Sequence, residues 1–214
     1  VSVVDPGVGT LRKSVVLKTG SGQLFVGPDN GTFTLVAEEL GIAAVREIDE
    51  AKNRRPGSER SYTFHGRDIY AYVGARLAAG VIAFEDVGPL LPARAVMLNY
   101  ERPRLEGRVL VGAIPTLDFQ YGNAWTNLDE AMFAKLGPTP GDRFRVTIAR
   151  AGRQIFSEVV PYARTFGDVP VGAPLLYLNS LLGVSLALNQ GNFARQHAVS
   201  SGGEWSVRVE KIEP

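Results

Sequence analysis

Three polar residues of the N-terminal half have side chains that together suit the activation of a water molecule: Asp5, Arg12 and His65. Asp5 is the first residue of the segment 5–10 (DPGVGT), and Arg12 follows this segment; its proline and glycines are typical of a tight turn. If the segments on either side of this loop lie next to each other, the carboxylate and the guanidinium pair across its neck. A purely structural ion pair is the alternative explanation at this stage.

His65 follows Phe64 and precedes a predicted helix that begins near Arg67. Its imidazole is therefore expected at a helix N-terminus, where free backbone N–H groups favour an anion. A carboxylate, a guanidinium and an imidazole in one place could hold and deprotonate a water, and the helix terminus would stabilise the hydroxide. Arg12 would lower the pKa of the imidazole and Asp5 would raise it, so the sequence leaves the net direction open. A histidine that only caps the helix is the alternative.

A second set of residues, in the C-terminal half, suits the binding of a purine. Residues 121–127 (YGNAWTN) place Tyr121 and Trp125 around a predicted turn, with Asp118 just upstream. Aromatic rings stack on a purine and an asparagine amide bonds its edge. Small polar turns at 178–180 and 185–191 belong to the same region. A barrel-corner turn with packed aromatic side chains is the alternative.

Composition excludes several other kinds of site. Cysteine is absent, which excludes disulfides, thiolate nucleophiles and cysteine-ligated metals, and two histidines argue against a histidine-rich metal site. A formal net charge of +1 gives no electrostatic argument for nucleic acid or for an anionic membrane. The loop at 5–10 lacks the Gly-Lys-Ser/Thr ending of a nucleotide-triphosphate loop. The densest basic group lies in a polar Pro/Gly loop and is expected to be solvated: Lys52, Arg54, Arg55 and Arg60.

The elements that position these residues change in type along the chain. Residues 1–95 are predicted to form an α/β domain, a mixed sheet with helices, followed by a linker at 96–106. Its expected strands are 1–4, 11–18, 23–26 and 42–48, with the second and third forming a hairpin. Its expected helices are 32–40, ended by Gly41, and 67–79, ended by Gly80.

Residues 107–214 are predicted to form a small all-β, barrel-like domain, because short strands and turn signals alternate there. Its expected strands are 109–114, 144–150, 155–160, 175–178, 185–188 and 205–209, with one short helix at 128–136.

The chain begins without methionine and within an apolar run, and the α/β domain is expected to lack its first elements here. We expect a preceding segment that was removed or that is carried on a separate fragment of the same protein; a natural terminus tucked into a sheet is the alternative. The apolar runs are too short to span a bilayer and no charged-then-apolar leader is seen, so a cytoplasmic location is expected.

Five motifs occur here in an order that resembles the S-adenosyl-L-methionine (SAM) hydroxide adenosyltransferases, adenosine-forming SAM hydrolases related to the fluorinase and the chlorinase. They are Val4–Thr10 with Arg12, Gly27–Gly31, Phe64–Asp68, Gly122–Asn127 and Leu178–Ser180. The resemblance implies an α/β domain, a β-barrel-like domain and no cofactor, since SAM is the substrate. It also implies a homotrimer in which SAM lies between the N-domain of one subunit and the C-domain of the next, with no nucleic-acid or membrane partner.

The resemblance also implies roles for single residues. Asp5, Arg12 and His65 match the water-activating triad. Residues that match the substrate-binding positions are Tyr121, Asn123 and Trp125 for adenine, Asp118 and Ser180 for the methionine amino and carboxylate groups, and the backbone around Asn189 to Asn192 for adenine. Leu181 stands where the fluorinase has an arginine, which removes one carboxylate contact.

Other departures bear on the nucleophile. The halogenating relatives carry a serine at the position of Gly66, lack the Asp at position 5 and lack the His at position 65. The fluorinase also has a long insertion where only residues 19–22 stand here. The expected reaction is therefore an SN2 displacement at C5′ of SAM by water or hydroxide, giving adenosine and L-methionine. A halide-using enzyme, a non-catalytic SAM or adenosine sensor, and a structural oligomerisation domain are the alternatives.

Overall fold

The computed structural model describes residues 1–213, which divide into two compact units, one from Val1 to Leu98 and one from Asn99 to the last described residue. The first unit combines a sheet with helices, and the second is built mainly from two sheets. This confirms the expected two-domain architecture. The segment 96–106 spans the division, and its last three residues form a strand of the second unit. No helix of the described chain is long and apolar enough to cross a lipid bilayer.

The first unit is organised around a four-stranded sheet with the strand order β2-β1-β3-β4. The expected hairpin of β1 and β2 is confirmed. The sequence predicts a mixed sheet, whereas the three pairings of this sheet are all antiparallel, because β2 and β3 both run opposite to the central β1. The strands are β1 (Ser14–Lys18), β2 (Leu24–Pro28), β3 (Ala44–Glu47) and β4 (Leu90–Leu91).

Strand β1 is apolar at consecutive positions because both of its faces are buried. Val15 and Leu17 point to one side, where Phe33 packs with them. Val16 points to the other side and packs in a cluster with Val73. Successive side chains of a strand alternate between faces, so this short strand connects the two apolar layers of the unit.

Helices cover both faces of this sheet. The predicted helices at 32–40 and 67–79 are present, and Gly41 and Gly80 follow them with φ of 65° and +66°. The second begins as a π-helical segment, which the periodicity does not predict, and α2 lies in a region predicted as loop. The elements are α1 (Thr34–Leu40), α2 (Glu50–Asn53), the π segment (Gly66–Ala71) and α3 (Tyr72–Ala78).

The prediction of a buried strand at residues 1–4 is wrong. Val1 and Val4 are 65% and 70% exposed, and residues 1–4 are not part of the sheet. One backbone hydrogen bond, from Ser2 N–H to the Val26 carbonyl, ties the segment to β2. β-branched residues favour an extended backbone, but a strand also needs a ladder of such bonds.

The second unit contains two sheets, in the orders β10-β9-β13-β6-β5 and β11-β12-β8-β7. Both are open, which corrects the barrel-like prediction. Among the described residues, an isolated bridge links Tyr162, which follows the edge strand β10, to Leu176 of the edge strand β11, and one bridge does not close a barrel. The first sheet contains β5 (Arg104–Glu106), β6 (Val109–Ala113), β9 (Arg143–Arg150), β10 (Arg153–Pro161) and β13 (Trp205–Lys211). The second contains β7 (Thr116–Asp118), β8 (Asn123–Asp129), β11 (Pro174–Leu178) and β12 (Gly183–Leu188).

Alternating apolar residues of both sheets form one core in this unit, as Val146 and Ile148 of β9 and Leu186 of β12 illustrate. Two short helices complete it, α4 (Glu130–Ala134) and α5 (Phe193–Gln196). Helix α4 lies within the helix predicted at 128–136, and the Asp129 side chain caps it. Helix α5 is not predicted, because four residues are too few to show a period.

Candidate active site

Asp5 and Arg12 form a bidentate ion pair in the first unit. The Arg12 Nε and Nη2 atoms lie 2.9 Å and 2.6 Å from the two carboxylate oxygens of Asp5. The two side chains are 11% and 6% exposed for Arg12 and Asp5 respectively, so the pair is largely shielded from water. Turns within the loop, with φ of +77° at Gly9, bring its ends together. The expected pairing across the neck of the loop is confirmed.

His65 lies beside this pair. It is the N-cap residue of the π segment and is 5% exposed. Arg12 Nη2 lies 2.9 Å from His65 Nδ1, so the three predicted residues are in hydrogen-bond contact. The pKa of His65 is lowered, first by burial of the ring; Glu50 opposes this shift, Arg12 and Arg54 add to it, and Asp5 opposes it. The sequence leaves the direction of this pKa shift open; in the structure the pKa is lowered, which favours the neutral imidazole.

Ser14 and Tyr70 form hydrogen bonds to the Asp5–Arg12 pair. Arg12 Nη1 donates to Ser14 Oγ at 2.8 Å, and this oxygen lies 3.2 Å from the hydroxyl of Tyr70. The same hydroxyl donates to Asp5 Oδ2 at 3.5 Å. Burial raises the pKa of Tyr70 to about 12, so its O–H remains a donor at neutral pH. The sequence misses Tyr70 because the π segment changes which residues of this helix face inward.

Arg54 and Glu50 complete the cluster, and the sequence misses both. Arg54 Nη2 lies 3.0 Å from Glu50 Oε2 and 3.4 Å from His65 Nε2. The expectation of a solvated basic loop holds for Lys52, whose side chain is 77% exposed. It is wrong for Arg54, whose side chain is 6% exposed and lies over the ring of Tyr62. A run of basic residues in the sequence does not by itself show which of their side chains is buried.

A cavity of about 720 Å³ opens on one face of the second unit's four-stranded sheet. The strand register explains its floor. Trp125, Ser185 and Tyr177 are direct partners across β8, β12 and β11, so their side chains share a face. Trp125 and Tyr177 line the cavity, whereas Ser185 is fully buried on the strand between them, and the volume lies within the range of small-molecule sites.

Six of the seven predicted substrate-binding residues line this cavity: Asp118, Tyr121, Asn123, Trp125, Ser180 and Asn189. Leu181 does not; its side chain is 76% exposed, and its N–H donates to Asn179 Oδ1. Phe166 and Tyr177 also line the cavity, with ring centroids 5.0 Å apart, and are missed by the sequence. Tyr177 lies on β11 and Phe166 begins a short 3-10 helix before it, so no local motif brings the two rings together.

The turn expected at 121–127 ends earlier than predicted. Gly122 N–H donates to the Asp118 carbonyl at 2.6 Å, and strand β8 starts at the next residue. Gly122 has φ of +76°, and a Cβ there would lie 2.1 Å from the side chain of Asn192. Asn192 caps α5 by accepting from Arg195 N–H at 2.7 Å. The turn therefore supports the cavity wall through a contact that only glycine allows.

In the described part of the chain, no group of three or more His, Cys, Asp and Glu side chains could hold a metal ion. The cluster in the first unit instead combines the carboxylates of Asp5 and Glu50 with two guanidinium groups and the imidazole of His65. The cavity in the second unit combines aromatic faces with amide and carboxylate groups. These are groups that orient a water and bind a nucleoside.

Comparison with known proteins agrees with this chemistry. Family models match residues 1–88 as the SAM hydroxide adenosyltransferase N-terminal domain and residues 112–206 as its C-terminal domain. An (R)-S-adenosyl-L-methionine hydrolase of Salinispora tropica is 38% identical, over 94% of this chain and 71% of its own length. A fluorinase of Nocardia brasiliensis is 29% identical, over 95% of this chain and 74% of its own.

Among solved structures, an uncharacterized conserved protein from Thermotoga maritima superposes with a TM-score of 0.76 and 37% identity. That match covers 97% of this chain and 74% of the other. Sequence, fold and both family models thus agree over nearly the whole chain. This chain belongs to the SAM hydroxide adenosyltransferase family.

Proposed function

We propose that this chain hydrolyses SAM to adenosine and L-methionine through attack of water at C5′ of the ribose. The observation that carries the proposal is the buried, hydrogen-bonded cluster of Asp5, Arg12 and His65. Membership of the SAM hydroxide adenosyltransferase family supports it, and so does a cavity of nucleoside size lined by aromatic and amide side chains.

The proposed reaction is a single displacement. The C5′–O bond forms while the C5′–S bond breaks, and the electron pair of that bond goes to sulfur, which leaves as the neutral thioether of methionine. One proton of the water passes to the carboxylate of Asp5, which Arg12 fixes through two hydrogen bonds. Because the sulfonium is already a good leaving group, orientation and partial desolvation of the water supply most of the catalysis.

The cavity residues receive the substrate in this proposal. Tyr121 and Trp125 stack on the adenine, and Asn123 bonds its edge together with the backbone near Asn189. Asp118 accepts from the amino group of the methionine moiety. Ser180 donates to its carboxylate, and Leu181 contributes no side-chain contact, since it does not line the cavity.

The surroundings of Asp5 favour water over halide. A carboxylate repels a halide ion that approaches it, whereas it accepts a hydrogen bond from water. The resemblance places a serine in the halogenating relatives where this chain has Gly66. Here a Cβ at Gly66 would already lie 3.0 Å from Val3 Cγ1, so a larger side chain would be crowded.

Incubation with SAM in ¹⁸O-labelled water tests the reaction directly. We expect the label in the 5′-hydroxyl of adenosine, detected by mass spectrometry, together with unlabelled L-methionine. Release of adenine, or adenosine without the label, would contradict the mechanism. Formation of 5′-chloro-5′-deoxyadenosine in the presence of chloride would instead identify a halide-using enzyme.

We also propose that the reaction needs no cofactor and that the chain forms a homotrimer, as the resemblance implies. Activity is expected to survive exhaustive treatment with EDTA. Sedimentation equilibrium is expected to give three times the mass of the chain. A metal requirement or a monomeric enzyme of full activity would overturn the respective proposal.

A further inference from the structure

Both ring nitrogens of His65 face a guanidinium group. Arg12 Nη2 lies 2.9 Å from Nδ1, and Arg54 Nη2 lies 3.4 Å from Nε2. Guanidinium nitrogens donate only, and a neutral imidazole has one acceptor nitrogen and one N–H. The shorter contact identifies Nδ1 as the acceptor, so the ring proton is on Nε2. An imidazolium would carry N–H groups on both sides and direct each of them at a cation.

Arg54 is held in this place by several contacts. Its Nη2 lies 3.0 Å from Glu50 Oε2, and its guanidinium carbon lies 4.4 Å from the centre of the Tyr62 ring. Its Nη1 is buried and has no hydrogen-bond partner among the described residues. Burying a guanidinium with an unmade hydrogen bond costs free energy, so a surface salt bridge does not explain this arrangement.

Glu50 connects Arg54 to the rest of the cluster. Ser14 Oγ donates to Glu50 Oε1 at 3.3 Å and accepts from Arg12 Nη1 at 2.8 Å. A chain of hydrogen bonds therefore runs from Arg54 through Glu50, Ser14 and Arg12 to Nδ1 of His65, and an arginine lies at each edge of the imidazole ring. Loss of Arg54 would remove the cation at the Nε2 edge of the ring.

We propose that Arg54, held by Glu50, is a positioning residue whose charge keeps His65 neutral next to the Asp5–Arg12 pair, while the contact of Arg12 with Nδ1 leaves the ring proton on Nε2. The catalytic consequence rests on the proposed function, whereas the state of the ring does not. The charged and titratable groups that face His65 are Asp5 and Arg12 from the N-terminal loop, Glu50 and Arg54 from α2 and its C-cap, and Tyr70 from the π segment. Burial, the largest influence on its pKa, acts in the same direction as Arg54.

Arg54→Met tests this inference, because it keeps an unbranched apolar stem and removes the guanidinium charge. We expect the pKa of His65, followed by NMR titration of its ring nitrogens, to rise above the wild-type value. In SAM turnover we expect the acid limb of the kcat profile to move to higher pH, with kcat roughly 10- to 100-fold lower at pH 6 and KM unchanged. Lys52→Met is the matched control, since it removes a 77%-exposed cation from the same helix.

Two further variants keep the test decisive if Arg54→Met does not fold. Arg54→Lys restores the charge and is expected to return the pKa of His65 toward wild type. Glu50→Gln removes the anion that raises the pKa of His65, while its amide oxygen can still accept from Arg54, and is therefore expected to lower that pKa. A His197→Gln background leaves His65 as the only histidine signal.

The inference is wrong if Arg54→Met and Lys52→Met give the same His65 titration, or if the ¹⁵N shifts place the proton on Nδ1. The NMR measurements need no substrate. A protein that does not hydrolyse SAM would therefore refute the proposed function and leave the inference about His65 to be decided separately.

Discussion

Arg12 uses three different nitrogens for three different partners. Nε and Nη2 donate to Asp5, Nη1 donates to Ser14, and Nη2 also reaches Nδ1 of His65. A lysine carries one ammonium and cannot reproduce this planar fork. The geometry of the cluster thus depends on the shape of the guanidinium as well as on its charge.

We expect Arg12→Lys to lower kcat for adenosine formation by about 100-fold or more, because Asp5 and His65 lose their common donor. Arg60→Lys changes an exposed arginine of the same unit and should leave kcat within about twofold of wild type. Both rates are measured by chromatographic quantification of adenosine. Equal rates for the two variants would show that the fork has no role in turnover.

Asp5, Arg12 and His65 can be identified from the sequence because motif and residue type coincide there. Arg54 and Tyr70 cannot, since their inward orientation depends on α2 and on the π segment, which lack a sequence signal. Leu181 shows the opposite case: it adjoins a cavity residue in the sequence but lies outside the cavity lining.

At the scale of elements, the turn before β8 determines the shape of the cavity wall. Gly122→Ala would place a methyl group 2.1 Å from Asn192, in addition to the strain of φ at +76°. We expect the free energy of unfolding to fall by about 3 kcal/mol and adenosine to bind more weakly, because the Asn192 side chain that caps α5 must move. Thermal melting and calorimetry with adenosine measure the two effects.

Gly152→Ala is the control for this variant. Gly152 has φ of +81°, and a Cβ added there would have nothing within 4 Å, so the substitution isolates the backbone strain. We expect the free energy of unfolding to fall by about 1 kcal/mol and the affinity for adenosine to be unchanged. Similar losses of affinity in both variants would argue against the contact with Asn192.

The π segment buries His65 at its start, which makes the first unit sensitive to acid. The folded-state pKa of His65 is below its ordinary value of 6.5, so its contribution to stability is complete above pH 6.5 and is lost as the pH falls toward the folded-state pKa. We expect Tm to fall between pH 7.5 and pH 5.5, and His65→Gln to reduce that fall. A fall of the same size in His65→Gln as in the wild type would contradict this. His197→Gln should retain it.

At the scale of the whole molecule, the proposed chemistry and the proposed nucleoside binding belong to different units. His65→Asn is expected to lower kcat by roughly 100-fold while adenosine affinity is unchanged. Trp125→Ala is expected to weaken adenosine binding by roughly 10- to 100-fold, through loss of base stacking. Calorimetry with adenosine and steady-state kinetics with SAM separate the two outcomes. Loss of adenosine binding in His65→Asn would argue against this division.

The two-domain architecture and most strands of both units follow from local patterns, such as the hairpin of β1 and β2. The open sheets do not, because closure of a barrel depends on whether distant edge strands such as β10 and β11 pair. The strand predicted at residues 1–4 is wrong for a related reason: an extended backbone is a local property, whereas a strand requires a partner strand.

The π segment has a consequence for how this family of sequences can vary. A π turn contains about one residue more than an α turn, so deleting a single residue between 66 and 71 would let the helix wind regularly from end to end. Each residue of an α-helix turns the chain by about 100°. The shortened helix would keep His65 and Val73, which lie on either side of the segment, in their present directions, but would turn residues inside it, such as Tyr70, away from Asp5 and Ser14. Spacing along this one helix therefore matters as much as the identity of the polar residues that it carries.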